Sequence, residues 1–221
     1  MVLIHPISSV GLAQASEHEQ TMDLVDNQSI KSKESTQPKF NVLVMGDSLS
    51  ASYGLDIEAG WVNLLAQDKG DSFHFINASI GGETSSGGLQ RFPQLIQQYQ
   101  PNLVILELGA NDALRGQNLL ETKRNLEQMI VQCEVENEAC KIILLGVRLP
   151  TNYGPAYDAL LQKVYRDLAM QYHLVFDPFF LEDVALQLGM MQADGLHPTK
   201  KAQPFIMRRV SALIDQVINQ Q

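Results

Sequence analysis

One stretch of sequence decides the fold: Val42-Leu43-Val44-Met45-Gly46-Asp47-Ser48-Leu49-Ser50. Its first half has the apolar pattern of a buried strand, and it ends abruptly in a small polar turn. In an α/β fold, the carboxyl end of the first strand is where a reactive side chain is presented. We therefore predict that Ser48 lies at the carboxyl edge of a parallel sheet.

The rest of the chain alternates strand-like and helix-like segments. The runs at 103–108 and 141–147 are almost entirely apolar, as expected for parallel strands that are covered on both faces. Residues 119–133 carry apolar side chains at helical spacing. This alternation predicts a three-layer α/β/α sandwich with a parallel five-stranded sheet. The predicted strands are 40–45, 73–77, 103–108, 141–147 and 174–176, and the predicted helices are 61–69, 88–99, 119–133, 157–172 and 201–218.

The first 39 residues differ from the rest. Residues 1–15 are apolar but broken by His5 and Pro6, and they end in Ala13-Gln14-Ala15, which fits a signal cleavage site. Residues 16–39 are polar with little periodicity, which is typical of a disordered lead-in. We expect a signal remnant and lead-in over 1–39, and a folded domain over 40–221. The protein would then be periplasmic or secreted, and cytoplasmic if the segment is not a signal.

Composition and charge limit the partners. The 221 residues are 45% hydrophobic, which suits one globular domain with an ample core. No apolar run is long enough to span a bilayer. The formal net charge of −9 disfavours nucleic acid, because phosphate binding needs a basic face. We therefore expect neither a nucleic-acid partner nor an integral membrane segment.

The two cysteines, Cys133 and Cys140, flank a predicted helix end, a loop and the start of a strand. A disulfide would form there if the chain is exported. The alternative is two unpaired small hydrophobic side chains, and the sequence leaves both open. A metal site is less well supported, since the segment contains no histidine.

Polar loops follow four of the predicted strands. Because carboxyl ends of parallel strands share one edge of a sheet, these loops should converge on a single crevice. They are residues 46–50, 77–85, 108–112 and 147–154.

Nucleophilic acyl transfer needs a nucleophile, a base and a group that orients the base. We predict that Ser48 is the nucleophile, His197 the base and Asp194 its orienting acid. Asp47 is a second candidate for the acid, but Asp194 lies beside the base in sequence. Taken alone, Ser48 would more often cap a helix and Asp194 would form a turn. The combination of all three favours catalysis.

Hydrogen-bond donors for an oxyanion are also present. The backbone N–H groups of Ser48 and Gly82 and the side-chain amide of Asn111 would supply them. Glycine at position 82 allows the backbone to approach a reacting carbonyl closely. The alternative for Asn111 and Asp112 is a simple turn at a strand end.

These residues resemble the SGNH, or GDSL, hydrolase family. The family's marks are Gly-Asp-Ser near the start, a glycine in the second block, an asparagine in the third and Asp-x-x-His near the end. They match here at 46–48, Gly82, Asn111, Asp194 and His197, in order. The resemblance identifies 40–221 as an SGNH hydrolase domain of flavodoxin-like fold.

Longer runs resemble one subgroup, which is typified by multifunctional thioesterase I/lysophospholipase L1 and includes bacterial arylesterases. They include Asn-Ala-Ser-Ile at 77–80, Arg-Leu-Pro at 148–150 and Ala-Gln-Pro-Phe-Ile at 202–206. Ala110 and Glu83 stand where many relatives have Gly and Asp. Neither departure removes a reacting group.

The resemblance implies hydrolysis of small-molecule carboxylic esters, thioesters or lysophospholipids without a metal or organic cofactor. We expect the protein to be a monomer. It also implies that Asp47, Leu149, Pro150 and Tyr153 contact the substrate. Two alternatives are a carbohydrate O-acetyl esterase of the same fold and a catalytically silent acyl- or lipid-binding module. The apolar residues at 149–150 favour longer acyl chains over acetate, and the presence of Ser48 and His197 disfavours the silent module.

Overall fold

The computed structural model describes residues 40–219, so the predicted signal remnant and lead-in over 1–39 lie outside the described residues. Five strands form one parallel sheet in the order β2-β1-β3-β4-β5. The predicted fold class is therefore confirmed. The strands are β1 (Phe40–Gly46), β2 (Phe73–Asn77), β3 (Leu103–Glu107), β4 (Lys141–Leu145) and β5 (Val175–Asp177).

Helices cover both faces of the sheet. Helices α1 and α7 pack against each other, while α2 packs on α4 and α4 on α5, which gives the three layers. Two short helices, α3 and α6, follow β3 and β5. The helices are α1 (Trp61–Lys69), α2 (Ser85–Tyr99), α3 (Ala110–Leu114), α4 (Leu119–Glu136), α5 (Pro155–Gln171), α6 (Glu182–Ala185) and α7 (Gln203–Asn219).

The central strands are buried on both faces, as their apolar sequences require. All five residues of β3 are buried, and so are the last five of β1. Strands β1 and β3 pair so that Gly46 lies opposite Glu107. This register brings the loop that carries Ser48 next to the loop that carries Asn111, and it fixes where a site can form.

Some element boundaries differ from the predicted ones for local reasons. Helix α2 begins at Ser85 instead of residue 88, because the Thr84 side chain accepts a hydrogen bond from the Gly87 N–H and caps the helix. Helix α5 begins at Pro155 instead of residue 157, since proline is favoured in the first turn. The short helix α3 was not predicted, because five residues are too few to show a period.

Cys133 and Cys140 form a disulfide, with 5.8 Å between their Cα atoms. The bridge joins the last turn of α4 to the residue before β4. Both cysteines are buried. The structure therefore decides between the two alternatives that the sequence left open, and it places the bridge at the amino end of β4, opposite the carboxyl edge of the sheet.

The bridge gives a prediction about stability. Replacing both cysteines with alanine should lower the free energy of unfolding by about 2 kcal/mol, because the unfolded chain regains the entropy of an eight-residue loop. Urea unfolding followed by circular dichroism measures the change. The wild type unfolded with a reductant should lose a similar amount, and equal midpoints for the oxidised wild type and the variant would contradict the prediction.

Candidate active site

Three predicted residues lie together at the carboxyl edge of the sheet. Ser48 is on the loop after β1, while Asp194 and His197 are on the loop between α6 and α7. The Ser48 Oγ lies 2.8 Å from the His197 Nε2, and the His197 Nδ1 lies 2.7 Å from the Asp194 Oδ2. This geometry lets the imidazole take the hydroxyl proton while the carboxylate holds its other nitrogen.

The loop that carries Asp194 is folded around its carboxylate. The Asp194 Oδ1 accepts the backbone N–H groups of Leu196 at 2.9 Å and His197 at 3.0 Å. Partial burial raises the pKa of Asp194, but the hydrogen bonds from the His197 ring and the two N–H groups outweigh it and lower the pKa to about 2. Asp194 is therefore charged at neutral pH and orients the ring.

The predicted oxyanion donors surround the nucleophile. Gly82 has a φ of +75°, a left-handed conformation that favours glycine. Within residues 40–219, the N–H groups of Ser48 and Gly82 donate to no other protein group. Gly82, Asn111 and Ser48 all line one cavity. Two backbone donors and one amide are thus available to a developing negative charge.

Arg115, to which the sequence analysis assigned no role, joins two of these loops. It directly follows α3, the helix that carries Asn111, and its Nη2 donates to the Gly82 carbonyl oxygen at 2.9 Å. The guanidinium therefore links the loop that carries Gly82 to the helix that carries Asn111. Only the arginine's nearness in sequence to Asn111 signalled this role.

Asp47 holds Asn111 in place. Its side chain is almost fully buried. The Asp47 Oδ2 accepts the Asn111 amide at 2.8 Å, and its Oδ1 accepts the Leu49 N–H at 2.9 Å. Both oxygens accept protein donors, which supports a positioning role. Asp47 also lines the cavity, and its predicted contact with the substrate stays a prediction. The second amide hydrogen of Asn111 remains available for an oxyanion.

A second carboxyl group lies beneath Asp47. The Glu107 Oε2 accepts the Asp47 N–H at 3.1 Å and the Ser50 hydroxyl at 2.8 Å. Complete burial raises the pKa of Glu107 well above its usual value, and the charge of Asp47 raises it further. Burial therefore favours the neutral form of Glu107. Its signal in the sequence was a single acidic residue at the end of an apolar run.

Burial also raises the pKa of Asp47, to about 6. The N–H of Leu49, the nearby His197 and the Asn111 amide oppose that shift by favouring the carboxylate. Asp47 is therefore mainly protonated below pH 6 and mainly charged above it.

A cavity of about 440 Å³ opens beside the nucleophile. Its volume is typical of sites that hold small organic ligands. Leu149 and Pro150, which the resemblance predicted to contact the substrate, lie in its wall. Tyr153 is not among the lining residues; it ends a short 3-10 turn, and its hydroxyl donates to the carbonyl of the lining residue Leu114 at 3.2 Å. The predicted substrate contact of Tyr153 stays a prediction. The apolar wall consists of Leu114, Val147, Leu149, Pro150, Phe179 and Leu181.

The loop that carries Leu149 and Pro150 is held by the first turn of α5. The Asp158 Oδ1 accepts the Leu149 N–H at 2.9 Å, and its Oδ2 accepts the Arg148 guanidinium at 2.6 Å and 3.0 Å. The Arg148 side chain remains about half exposed, while Leu149 faces the cavity. One buried carboxylate thus fixes the direction of both side chains.

The raised pKa of Asp47 gives a prediction about stability against pH. An acid whose pKa is higher in the folded state gives stability that is present below pH 4 and lost as pH rises to about 6. The free energy of unfolding of the wild type, relative to Asp47→Asn, should therefore fall by up to about 3 kcal/mol across this interval. Without the Asp47 charge, the pKa of Glu107 is raised less in the variant. This effect also makes the wild type lose more stability than Asp47→Asn as pH rises.

Urea unfolding at half-unit steps from pH 4 to 8 measures this difference. Asp56→Asn, which removes an exposed carboxylate, is the matched control and should show a much smaller trend. A difference between the wild type and Asp47→Asn that stays constant or rises with pH would contradict the assignment.

Comparison with known proteins agrees with this geometry. Residues 44–203 match the GDSL-like Lipase/Acylhydrolase family. The chain is 46% identical over 172 residues to the esterase TesA of Pseudomonas aeruginosa, covering 76% of this chain and 85% of the relative. It is 39% identical over 178 residues to thioesterase 1/protease 1/lysophospholipase L1 of Escherichia coli K12, covering 80% and 85%.

A solved structure is also similar. The psychrotrophic esterase EstA from Pseudoalteromonas sp., inhibited by monoethylphosphonate, aligns with a TM-score of 0.76 and 39% identity, over 82% of this chain and 100% of that one. Sequence and fold therefore agree over most of both chains. The chain belongs to the GDSL-like lipase/acylhydrolase family.

Proposed function

We propose that this protein is a serine hydrolase that cleaves carboxylic esters and thioesters through an acyl-enzyme on Ser48. The observation that carries the proposal is the chain of contacts from the Ser48 Oγ through His197 to Asp194, at 2.8 Å and 2.7 Å. It opens onto an apolar cavity. The relatives named an esterase and a thioesterase/lysophospholipase support the same reaction class.

Acylation follows from this arrangement. The Ser48 Oγ attacks the carbonyl carbon as the His197 Nε2 takes the hydroxyl proton, and Asp194 stabilises the imidazolium. The new oxyanion accepts hydrogen bonds from the N–H groups of Ser48 and Gly82 and from the Asn111 amide. When the tetrahedral intermediate collapses, His197 returns the proton to the departing alcohol or thiol, and the acyl group stays on Ser48.

Deacylation repeats these steps with water as the nucleophile. His197 takes a proton from water, and the resulting hydroxide attacks the acyl carbon. The same donors hold the second oxyanion. Collapse releases a carboxylic acid, and the proton on His197 returns to the Ser48 oxygen. Apart from water and the substrate, the steps of this cycle are assigned to side chains and backbone groups named above.

The walls of the cavity favour an acyl chain over a sugar. Six apolar side chains line one side of a space of about 440 Å³, and burying each methylene there contributes about 0.8 kcal/mol. An acetyl group would leave most of that space unfilled, which argues against the carbohydrate O-acetyl esterase. The intact hydrogen-bond chain at Ser48 argues against a silent binding module.

Location and assembly belong to the proposal as well. Within the part of the chain that the structure describes, no helix is long and apolar enough to cross a membrane. The disulfide between Cys133 and Cys140 fits an oxidising compartment, as does the sequence Ala13-Gln14-Ala15. We propose a monomeric, periplasmic or secreted enzyme that acts on small esters, thioesters or lysophospholipids.

The first test is Ser48→Ala. It should lower kcat by at least about 10³-fold, because no other hydroxyl can form the acyl-enzyme. The measurement is hydrolysis of p-nitrophenyl esters from acetate to palmitate, with circular dichroism to verify folding. The wild type should prefer chains longer than acetate. Ser211→Ala, a change on α7 away from the cavity, is the control and should keep wild-type activity.

Covalent labelling tests the nucleophile independently of ester hydrolysis. A fluorophosphonate should add its mass to Ser48 in the wild type and in Ser211→Ala, but not in Ser48→Ala. Full activity or full labelling in Ser48→Ala would overturn the proposed mechanism.

The second test concerns the oxyanion. Asn111→Ala should lower kcat by about 10²- to 10³-fold and leave KM nearly unchanged, because the amide acts on charge that develops only in the transition state. Steady-state kinetics on a preferred p-nitrophenyl ester measure both constants. A rise in KM with an unchanged kcat would show that Asn111 binds the ground state instead.

A further inference from the structure

An aromatic side chain lies on the base of the triad. The ring centroids of Tyr53 and His197 are 4.2 Å apart, with an angle of 30° between the planes. Tyr53 lines the cavity, yet it is 54% exposed. Core packing does not explain a half-exposed tyrosine, and the acyl-transfer steps above give it no role.

The backbone next to Tyr53 adopts an unfavourable conformation. The residue before it, Ser52, is buried and has a φ of +60°, which is unfavourable for a residue with a side chain. The Tyr53 N–H donates to the Ser48 carbonyl at 3.3 Å, and the Tyr53 carbonyl accepts the Gln192 side chain at 2.9 Å. Gln192 also donates its N–H to the His197 carbonyl at 2.7 Å.

The backbone and the side chain of Tyr53 make different contacts. Backbone hydrogen bonds tie residue 53 to the nucleophile loop and, through Gln192, to the loop of His197. Replacing the ring leaves those bonds in place, so the position of the loop does not depend on the ring. The aromatic side chain is therefore free to serve a different purpose.

The direction of proton transfer shows which part of a substrate meets the ring. His197 must give its proton to the leaving atom, so that atom lies within hydrogen-bond reach of the His197 Nε2. Under the proposed function, the acyl chain packs on the apolar side chains of the cavity, which include Leu149 and Pro150. The leaving group then lies beside His197, and the Tyr53 ring, 4.2 Å from the His197 ring, lines the same cavity.

We infer that Tyr53 determines leaving-group specificity and selects alcohols or thiols that carry a planar aromatic ring next to the reacting atom. The inference rests on the proposed function and specifies the leaving group of the substrate. An aromatic leaving group can pack against the Tyr53 ring in the offset or edge-to-face geometry that aromatic pairs prefer. A saturated ring of equal size fills the same space without that interaction.

The test compares benzyl butyrate with cyclohexylmethyl butyrate. The acyl groups are identical and the leaving groups are similar in size, and each rate is divided by the rate of hydrolysis by hydroxide. The wild type should prefer the benzyl ester by about three- to tenfold in kcat/KM. Tyr53→Leu should bring the ratio close to one, while Tyr53→Phe, which keeps the ring, should retain it.

A second ratio acts as the internal control. The preference for octanoate over butyrate, measured with one leaving group, should be the same in the wild type and in Tyr53→Leu, because the inferred role of Tyr53 concerns only the leaving group. A change in this ratio together with the benzyl ratio would overturn the assignment of Tyr53 to the leaving group.

The remaining outcomes separate this inference from the proposed function. If the wild type hydrolyses neither butyrate nor any other ester, the proposed function fails and this inference with it. If it hydrolyses both at a normalised ratio near one, only the role of Tyr53 is overturned, and that result needs no variant. An equal loss on both esters in Tyr53→Leu would assign the ring to positioning His197 and would also overturn the specificity role.

Discussion

The site depends on a buried carboxyl group at the end of the central strand. Glu107 closes β3 and accepts hydrogen bonds from the backbone of Asp47 and the hydroxyl of Ser50, on either side of the nucleophile. The strand register places Gly46 against Glu107, and a Cβ at that glycine would lie 2.7 Å from the Ser50 Cβ and 2.8 Å from the Glu107 Oε2. Only glycine allows the nucleophile loop to approach the carboxyl this closely.

That arrangement places two carboxyl groups next to each other in the interior. Complete burial and the charge of Asp47 raise the pKa of Glu107 well above its usual value, while the Asp47 carboxyl accepts the Asn111 amide. Asp47 in turn costs stability above pH 6, because its burial disfavours the carboxylate. The fold thus accepts a loss of stability in order to orient an oxyanion donor, which is typical of functional sites and rare in ordinary cores.

The sequence predicted local structure, but it did not indicate which residues far apart in the chain contact each other. The sheet could be predicted because each strand has its own apolar run, and the residues at Ser48, Asp194 and His197 could be named because their types define one chemistry. Tyr153 was expected to contact the substrate; its hydroxyl donates to the carbonyl of the cavity residue Leu114, a contact between separate segments that has no local signal in the sequence. Glu107, Arg115 and Tyr53 act through contacts between loops that only the strand register brings together, and no local pattern encodes that register.

The groups around the nucleophile are held by different parts of the fold. The apolar wall is fixed to α5 through Asp158, which anchors Leu149. Tyr53 and His197 are joined through Gln192, which does not involve that helix. Because the two sets share no hydrogen-bond partner, a substitution on one side should act independently of the other. Acyl preference and leaving-group preference are therefore separable properties of this site.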